Sequence, residues 1–150
     1  MTEQKPLLGW REWVELPSLK LGMMKAKVDT GARTSCLHAF LVERADRDSE
    51  QWARFRVHPV QGDQRQVVTC EAPIIDRRRV TDSGGHAEDR YVIKTPLRIG
   101  DWCEEVEFTL TARDTMRFRL LIGRTAMKAG GFLVDPARSY QMGTRPDGDT

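Results

Sequence analysis

Apolar residues at every second position, in one short run after another, restrict this chain more than any other feature. A period of two fits a half-buried strand and not a helix. Met24-Lys25-Ala26-Lys27-Val28, Ala53-Arg54-Phe55-Arg56-Val57-His58 and Gln66 to Cys70 all alternate, and Glu105 to Thr111 is the cleanest of them. Glu12 to Leu16 adds a short strand stopped by Pro17, Thr34 to Phe40 another, and Leu120-Leu121-Ile122 an apolar strand that reads as buried. Glu43 to Glu50 reads as a charge-rich connection. One helix is expected, Arg124 to Ala129, ended by Gly130-Gly131, and Phe132-Leu133-Val134 is the last strand. The expected class is all-β with one short C-terminal helix.

Between Ile75 and Leu97 two strand-like arms meet at Ser83-Gly84-Gly85-His86, which predicts a long hairpin with a glycine tip that projects from the body. One arm carries Arg77, Arg78 and Arg79, the other Arg90 and Lys94. A charge run of this kind is by default a solvated face that blunts an edge strand. Set over a cleft, the same run becomes a basic rim that attracts acidic substrates.

The residues with the clearest chemistry are Asp29-Thr30-Gly31-Ala32. The Met24–Val28 strand ends at the acid, and Gly31 allows a sharp turn without a Cβ clash. Asp29 is thus expected at a strand end with its carboxylate held by neighbouring amides. Acids before Thr-Gly also occur in ordinary turns and phosphate-handling loops, so the motif needs its partner signal, Leu120-Leu121-Ile122-Gly123-Arg124. One carboxylate is a poor peptidase; two that share a proton activate a water and polarise a carbonyl. At about 3 Å and an effective dielectric of about 20, two carboxylates repel by roughly 5 kcal/mol, enough to keep one proton on the pair. The chain has a single Asp-Thr-Gly. The second acid must come from a second copy, which predicts a two-fold homodimer with Thr30 hydroxyls orienting the acids across the axis.

In this order, Asp29-Thr30-Gly31-Ala32, a glycine-tipped hairpin and Leu121-Ile122-Gly123-Arg124 resemble a retropepsin-type aspartic protease subunit. The resemblance implies a closed-barrel single lobe. In it the strand before Gly123 packs beside the acid-bearing loop, and flaps from both subunits close over a peptide substrate. More closely, Lys27 to Ala39, Ser83 to Ile93 and Met116 to Met127 resemble small bacterial retropepsin-like proteins. Those proteins are often labelled "ATP-dependent zinc protease" and associated with RimK/LysX ATP-grasp ligases. The similarity runs over roughly residues 8 to 140. It implies catalysis by Asp29, Thr30 and Gly31, with Ala32, Gly123 and Arg124 supporting the site. The flap and substrate side falls to Arg77, Arg78, Arg79, Ser83, Gly84, Gly85 and Arg90. The link to glutamate-adding ligases points to oligo-glutamate tails on proteins as substrate. Retropepsins commonly carry an acid after Asp-Thr-Gly-Ala, paired with the Arg of Gly-Arg. Here Arg33 stands there, and Asp114 or Asp135 is left to pair with Arg124.

Two rival readings remain. The chain is alternatively a non-catalytic module that grips acidic tails, or a zinc hydrolase built on Cys36 and His38, which share a strand face. No His-Glu-x-x-His and no pair of Cys-x-x-Cys is present, so Cys36 reads better as a core residue and His38 as a hydrogen-bonded strand histidine. No Gly-Lys-Ser/Thr phosphate loop is present, so any ATP dependence belongs to a partner enzyme. No cofactor is expected.

Bulk properties set the remaining bounds. The 150 residues suit one domain and are too few for two similar lobes. The expected division is an extension over 1–7, the domain over 8–143, and a disordered tail over 144–150. Twenty-four basic and 22 acidic residues leave +2, which is not a nucleic-acid binder's balance. Three widely spaced cysteines make no disulfide framework. With no leader-like or membrane-length apolar run, the expectation is a cytoplasmic protein without a membrane partner.

Overall fold

The alternating runs assemble into one large curled sheet. The structure, a computed structural model, describes residues 5–81, 84–112 and 117–143. The strands are β1 (Leu7–Leu8), β2 (Arg11–Glu15), β3 (Met23–Val28), β4 (Ser35–His38), β5 (Phe40–Arg47), β6 (Glu50–Val57), β7 (Val68–Thr81), β8 (Ala87–Ile99), β9 (Trp102–Thr111), β10 (Leu120–Ile122) and β11 (Leu133–Val134). One helix, α1 (Arg124–Gly130), follows β10, and a single 3-10 turn at Pro17–Leu19 follows β2.

Nine strands form the sheet in the order β2-β3-β10-β4-β9-β8-β7-β6-β5. The closed barrel expected from sequence is present only as this sheet, in which one residue pair, Glu15 with Arg98, links β2 back to β8. Inward residues alternate as the pattern requires. Met24, Ala26 and Val28 of β3, Phe55 and Val57 of β6, and Phe108 and Leu110 of β9 are all buried. Leu120 and Ile122 lie between β3 and β4 and are fully buried, so β10 is the buried apolar strand its composition predicted. At about 25 cal/mol per Å² of apolar surface, such side chains supply most of the drive to close the sheet.

The charge-rich run from Glu43 to Glu50 is not a connection. It lies within the β5–β6 hairpin, which turns at Asp48 and Ser49, both at positive φ. Its charges are tolerated because β5 is a sheet edge, where an outward charge deters pairing with another chain. The long hairpin is β7 with β8, paired from Ile74–Ile93 out to Thr81–Ala87. Gly85 at its tip has φ +84, a conformation that favours glycine. Ser83 lies outside the described residues, as do Asp114 and the 144–150 tail.

One buried charge fastens the ends of the domain. Glu12 is fully buried, and its carboxylate accepts the amides of Gly9 (2.6 Å), Gln141 (2.9 Å) and Met142 (3.0 Å). β1 pairs with β11 in a separate two-stranded sheet. Among the described residues, no helix is long and apolar enough to cross a membrane.

Candidate active site

Asp29 leaves the end of β3 and is braced from the far side of the sequence. Its amide donates to the Ile122 carbonyl at 2.9 Å, extending the parallel β3–β10 pairing by one residue. Its Oδ1 accepts the Gly31 amide at 3.0 Å, and its carbonyl accepts the Ala32 amide at 3.2 Å. One neighbouring amide, that of Gly31, thus holds the carboxylate, and the other bonds fix the Asp29 backbone. Asp29 is half-buried, while Thr30 and Gly31 are exposed. Gly31 does not use positive φ. Its small size matters because a Cβ there would stand 3.2 Å from Asp29 Oδ1.

The start of α1 locks onto the same loop. The amides of Arg124 and Thr125 donate to the carbonyls of Ala32 (2.9 Å) and Arg33 (3.0 Å). Gly123 donates its buried amide to Ser35 Oγ at 2.9 Å. A Cβ on Gly123 would meet the Thr34 carbonyl carbon at 2.6 Å, so glycine permits this crossing. Among the described residues Arg124 finds no carboxylate: its Nη1 donates to the Thr30 carbonyl at 3.0 Å, and Asp135 pairs with Arg138 instead. The guanidinium thus ties the acid turn directly. Ser35 was not singled out from the sequence, because one hydroxyl in a strand carries no pattern.

A cleft of about 480 Å³ opens beside this loop, lined by Gly31, Ala32, Arg33, Cys36 and Leu121 on the sheet side and by Arg78, Arg79 and Arg90 of the hairpin. Asp29 itself is not among the lining residues. The basic rim is more neutral than its sequence implies. Arg78 pairs with Asp76 and Glu107, Arg79 with Asp89, and Arg90 with Glu88. The Arg78 hydrogen bond and the Arg77 amide hold the Asp76 carboxyl below its usual range. Arg77 points elsewhere, over the Tyr91 ring at 5.6 Å, and lines a separate pocket. Arg90, with its side chain only 10% exposed, also reaches Cys36 Sγ and Thr109 Oγ1. Arg33 has no carboxylate partner among the described residues and stays exposed on the rim.

Zinc does not fit these residues. A protein zinc site needs three or four converging nitrogen, sulfur or oxygen ligands. Cys36 and His38 are buried on one strand, and among the described residues no three of His, Cys, Asp and Glu are placed to hold a metal ion. The three cysteines are thiols, not disulfides.

Comparison with known proteins decides the family. A family described as retropepsin-like aspartic endopeptidase RimB matches residues 7–145. The chain belongs to this RimB-like family. Among its relatives, a probable alpha-L-glutamate ligase of Shewanella pealeana is 41% identical over 98% of this chain and 32% of that protein. A protein of the same description from Parasynechococcus marenigrum is 45% identical over 93% of this chain and 30% of that one. The chain therefore spans about a third of the length of these relatives. A crystal structure of a protein of unknown function from Legionella pneumophila shares the fold. Its TM-score is 0.79, at 24% identity, covering 93% of this chain and 99% of that one.

Proposed function

We propose that this member of the RimB-like family is an aspartic peptidase that works as a homodimer. Asp29 of each subunit would activate one water between them for attack on a peptide or isopeptide carbonyl. The observation that carries the reading is the brace on Asp29. The backbone of Asp29 is fixed by its amide's bond to the Ile122 carbonyl, and its half-buried carboxylate accepts the Gly31 amide. The Arg124 guanidinium holds the next carbonyl, that of Thr30, beside a cleft lined in part by the β7–β8 hairpin. Such fixing is what a shared-proton pair requires, because two acids must be held against their own repulsion. Thr30 and Gly31 shape the turn, and the β7–β8 hairpin serves as the flap that excludes water. The substrate we favour is a protein tail rich in glutamate. The exposed Arg33, which has no carboxylate partner among the described residues, suits acidic side chains, and relatives that carry this segment are described as glutamate ligases. The chain would then trim what an ATP-grasp ligase adds.

Mass spectrometry of a glutamylated peptide incubated with the parent chain and with Asp29→Asn tests this reading. Sedimentation equilibrium on the same samples accompanies it. Cleavage by the parent alone, with both chains near twice 17.2 kDa, is the expected result. Cleavage by Asp29→Asn, or a monomer that cleaves, would sink the mechanism. A binding module for acidic tails is the second reading, favoured by the same exposed Arg33. A dyad gives a bell-shaped pH–rate profile, whereas pure binding weakens steadily as the glutamates protonate.

A further inference from the structure

Beyond the main cleft, the same face of the sheet carries a second basic hollow of about 430 Å³, lined by Trp10, Arg11, Lys25, Lys27, Arg117 and Phe118. Its position follows from register. Lys27 pairs with Arg11 on β2 and with Leu121 on β10, and Leu121 lines the main cleft. The two hollows are therefore neighbours, joined across one strand. Arg78, Arg79 and Arg90 are matched by acids, but none of these four cations pairs with a carboxylate among the described residues. Arg11 is fixed between the rings of Trp10 (4.6 Å) and Tyr140 (5.0 Å) and donates to Ser139 Oγ. Lys25 lies over Trp13 at 5.5 Å, and Lys27 and Arg117 are exposed.

Four clustered cations with no carboxylate partner among the described residues repel one another, a cost that a bound polyanion removes. We propose that this hollow is a second carboxylate-binding station, which grips a glutamate side chain of the same acidic substrate away from the bond being cut. This rests on the acidic-substrate reading above. Lys27 is two residues before Asp29, about 7 Å along the strand, or about two residues of an extended substrate. Side chains two apart on an extended chain point to one side, so an oligo-glutamate presents carboxylates at the required spacing. A nucleic acid suits the hollow less well. Base stacking needs open aromatic faces, whereas Trp10 is engaged by Arg11 and Phe118, and Trp13 by Lys25 and Tyr140.

The test is fluorescence anisotropy of labelled hexaglutamate on an Asp29→Asn background, with kcat and KM for a glutamate-rich peptide measured with Asp29 intact. Lys27→Gln and Arg117→Gln should each weaken hexaglutamate binding roughly fivefold, and together roughly 25-fold. Lys27→Arg should keep it, and with Asp29 intact the paired substitutions should raise KM while leaving kcat near the parent value. Thermal midpoints check that each variant is folded, and Lys25→Gln replaces any that is not. Unchanged binding and KM in the folded double variant would overturn the station even if the peptide is cleaved. Lost binding in that variant, with no cleavage by the parent, would keep the station and discard the peptidase. A single-stranded oligonucleotide that displaces hexaglutamate at lower concentration than unlabelled hexaglutamate does would also overturn it.

Discussion

Replacing Gly123 by alanine tests how tightly β10 is driven against the acid loop. The added methyl would stand 2.6 Å from the Thr34 carbonyl carbon and 2.8 Å from the Ser35 nitrogen. Both are backbone atoms, so no rotamer change relieves the contact. Ordinary contact begins near 3.4 Å, so the strand end must retreat by about 0.8 Å. That retreat stretches the 2.9 Å bonds from Gly123 to Ser35 Oγ and from Asp29 to Ile122 beyond useful length. Overpacking costs ~1–3 kcal/mol, and a weakened buried hydrogen bond adds ~1 kcal/mol. A loss of ~2–4 kcal/mol lowers Tm by on the order of 10 °C at this chain length. Calorimetry of Gly123→Ala beside Gly22→Ala makes the comparison. Gly22 has φ +73 but open space around a Cβ, so its strain of ~1 kcal/mol should cost only about 3 °C. A Gly123→Ala chain melting within about 2 °C of the parent would refute the crossing as described.

Glu12→Ala strands the buried Gly9 amide and removes the part-buried bonds from Gln141 and Met142, and should cost ~2–3 kcal/mol; Glu12→Gln, which keeps an acceptor, should cost less in the same urea titration. Burial pushes the Cys70 thiol up to about 11, while Cys103 is exposed. A maleimide at pH 8 should therefore modify Cys103 quickly and Cys70 only on unfolding, as peptide mapping would show. Asp76 has a folded-state value below its unfolded one, so its contribution is present at neutral pH and lost as pH falls through the folded value. The Tm gap between the parent and Asp76→Asn should accordingly narrow on acidification below pH about 4.

What could be read from the sequence was local. Alternation in β3, β6 and β9 located strands because each buries one face, and Gly84-Gly85 located the hairpin tip because glycine accepts positive φ. Asp29 could be placed at a strand end for the same reason. Partners distant in sequence could not be read. Glu12 looks like any strand carboxylate, and its burial depends on amides 129 and 130 positions away. Arg124 was expected to pair with Asp114 or Asp135; among the described residues it donates to the Thr30 carbonyl, and Asp135 pairs with Arg138. The β5 edge misled because charge normally marks a loop, whereas an edge strand wears charge for protection. Lys27 and Arg117 gave no joint signal until β3 and the residues before β10 were brought side by side.

The brace on Asp29 also sets a clock. The loop is made early, but the Arg124 that grips Thr30 follows 94 positions later. At about 5–20 residues per second, synthesis leaves the turn unsupported for about 5 to 20 s. The turn around Asp29 thus gains this brace only once residue 124 has been made, and the chemistry proposed for it would wait until then.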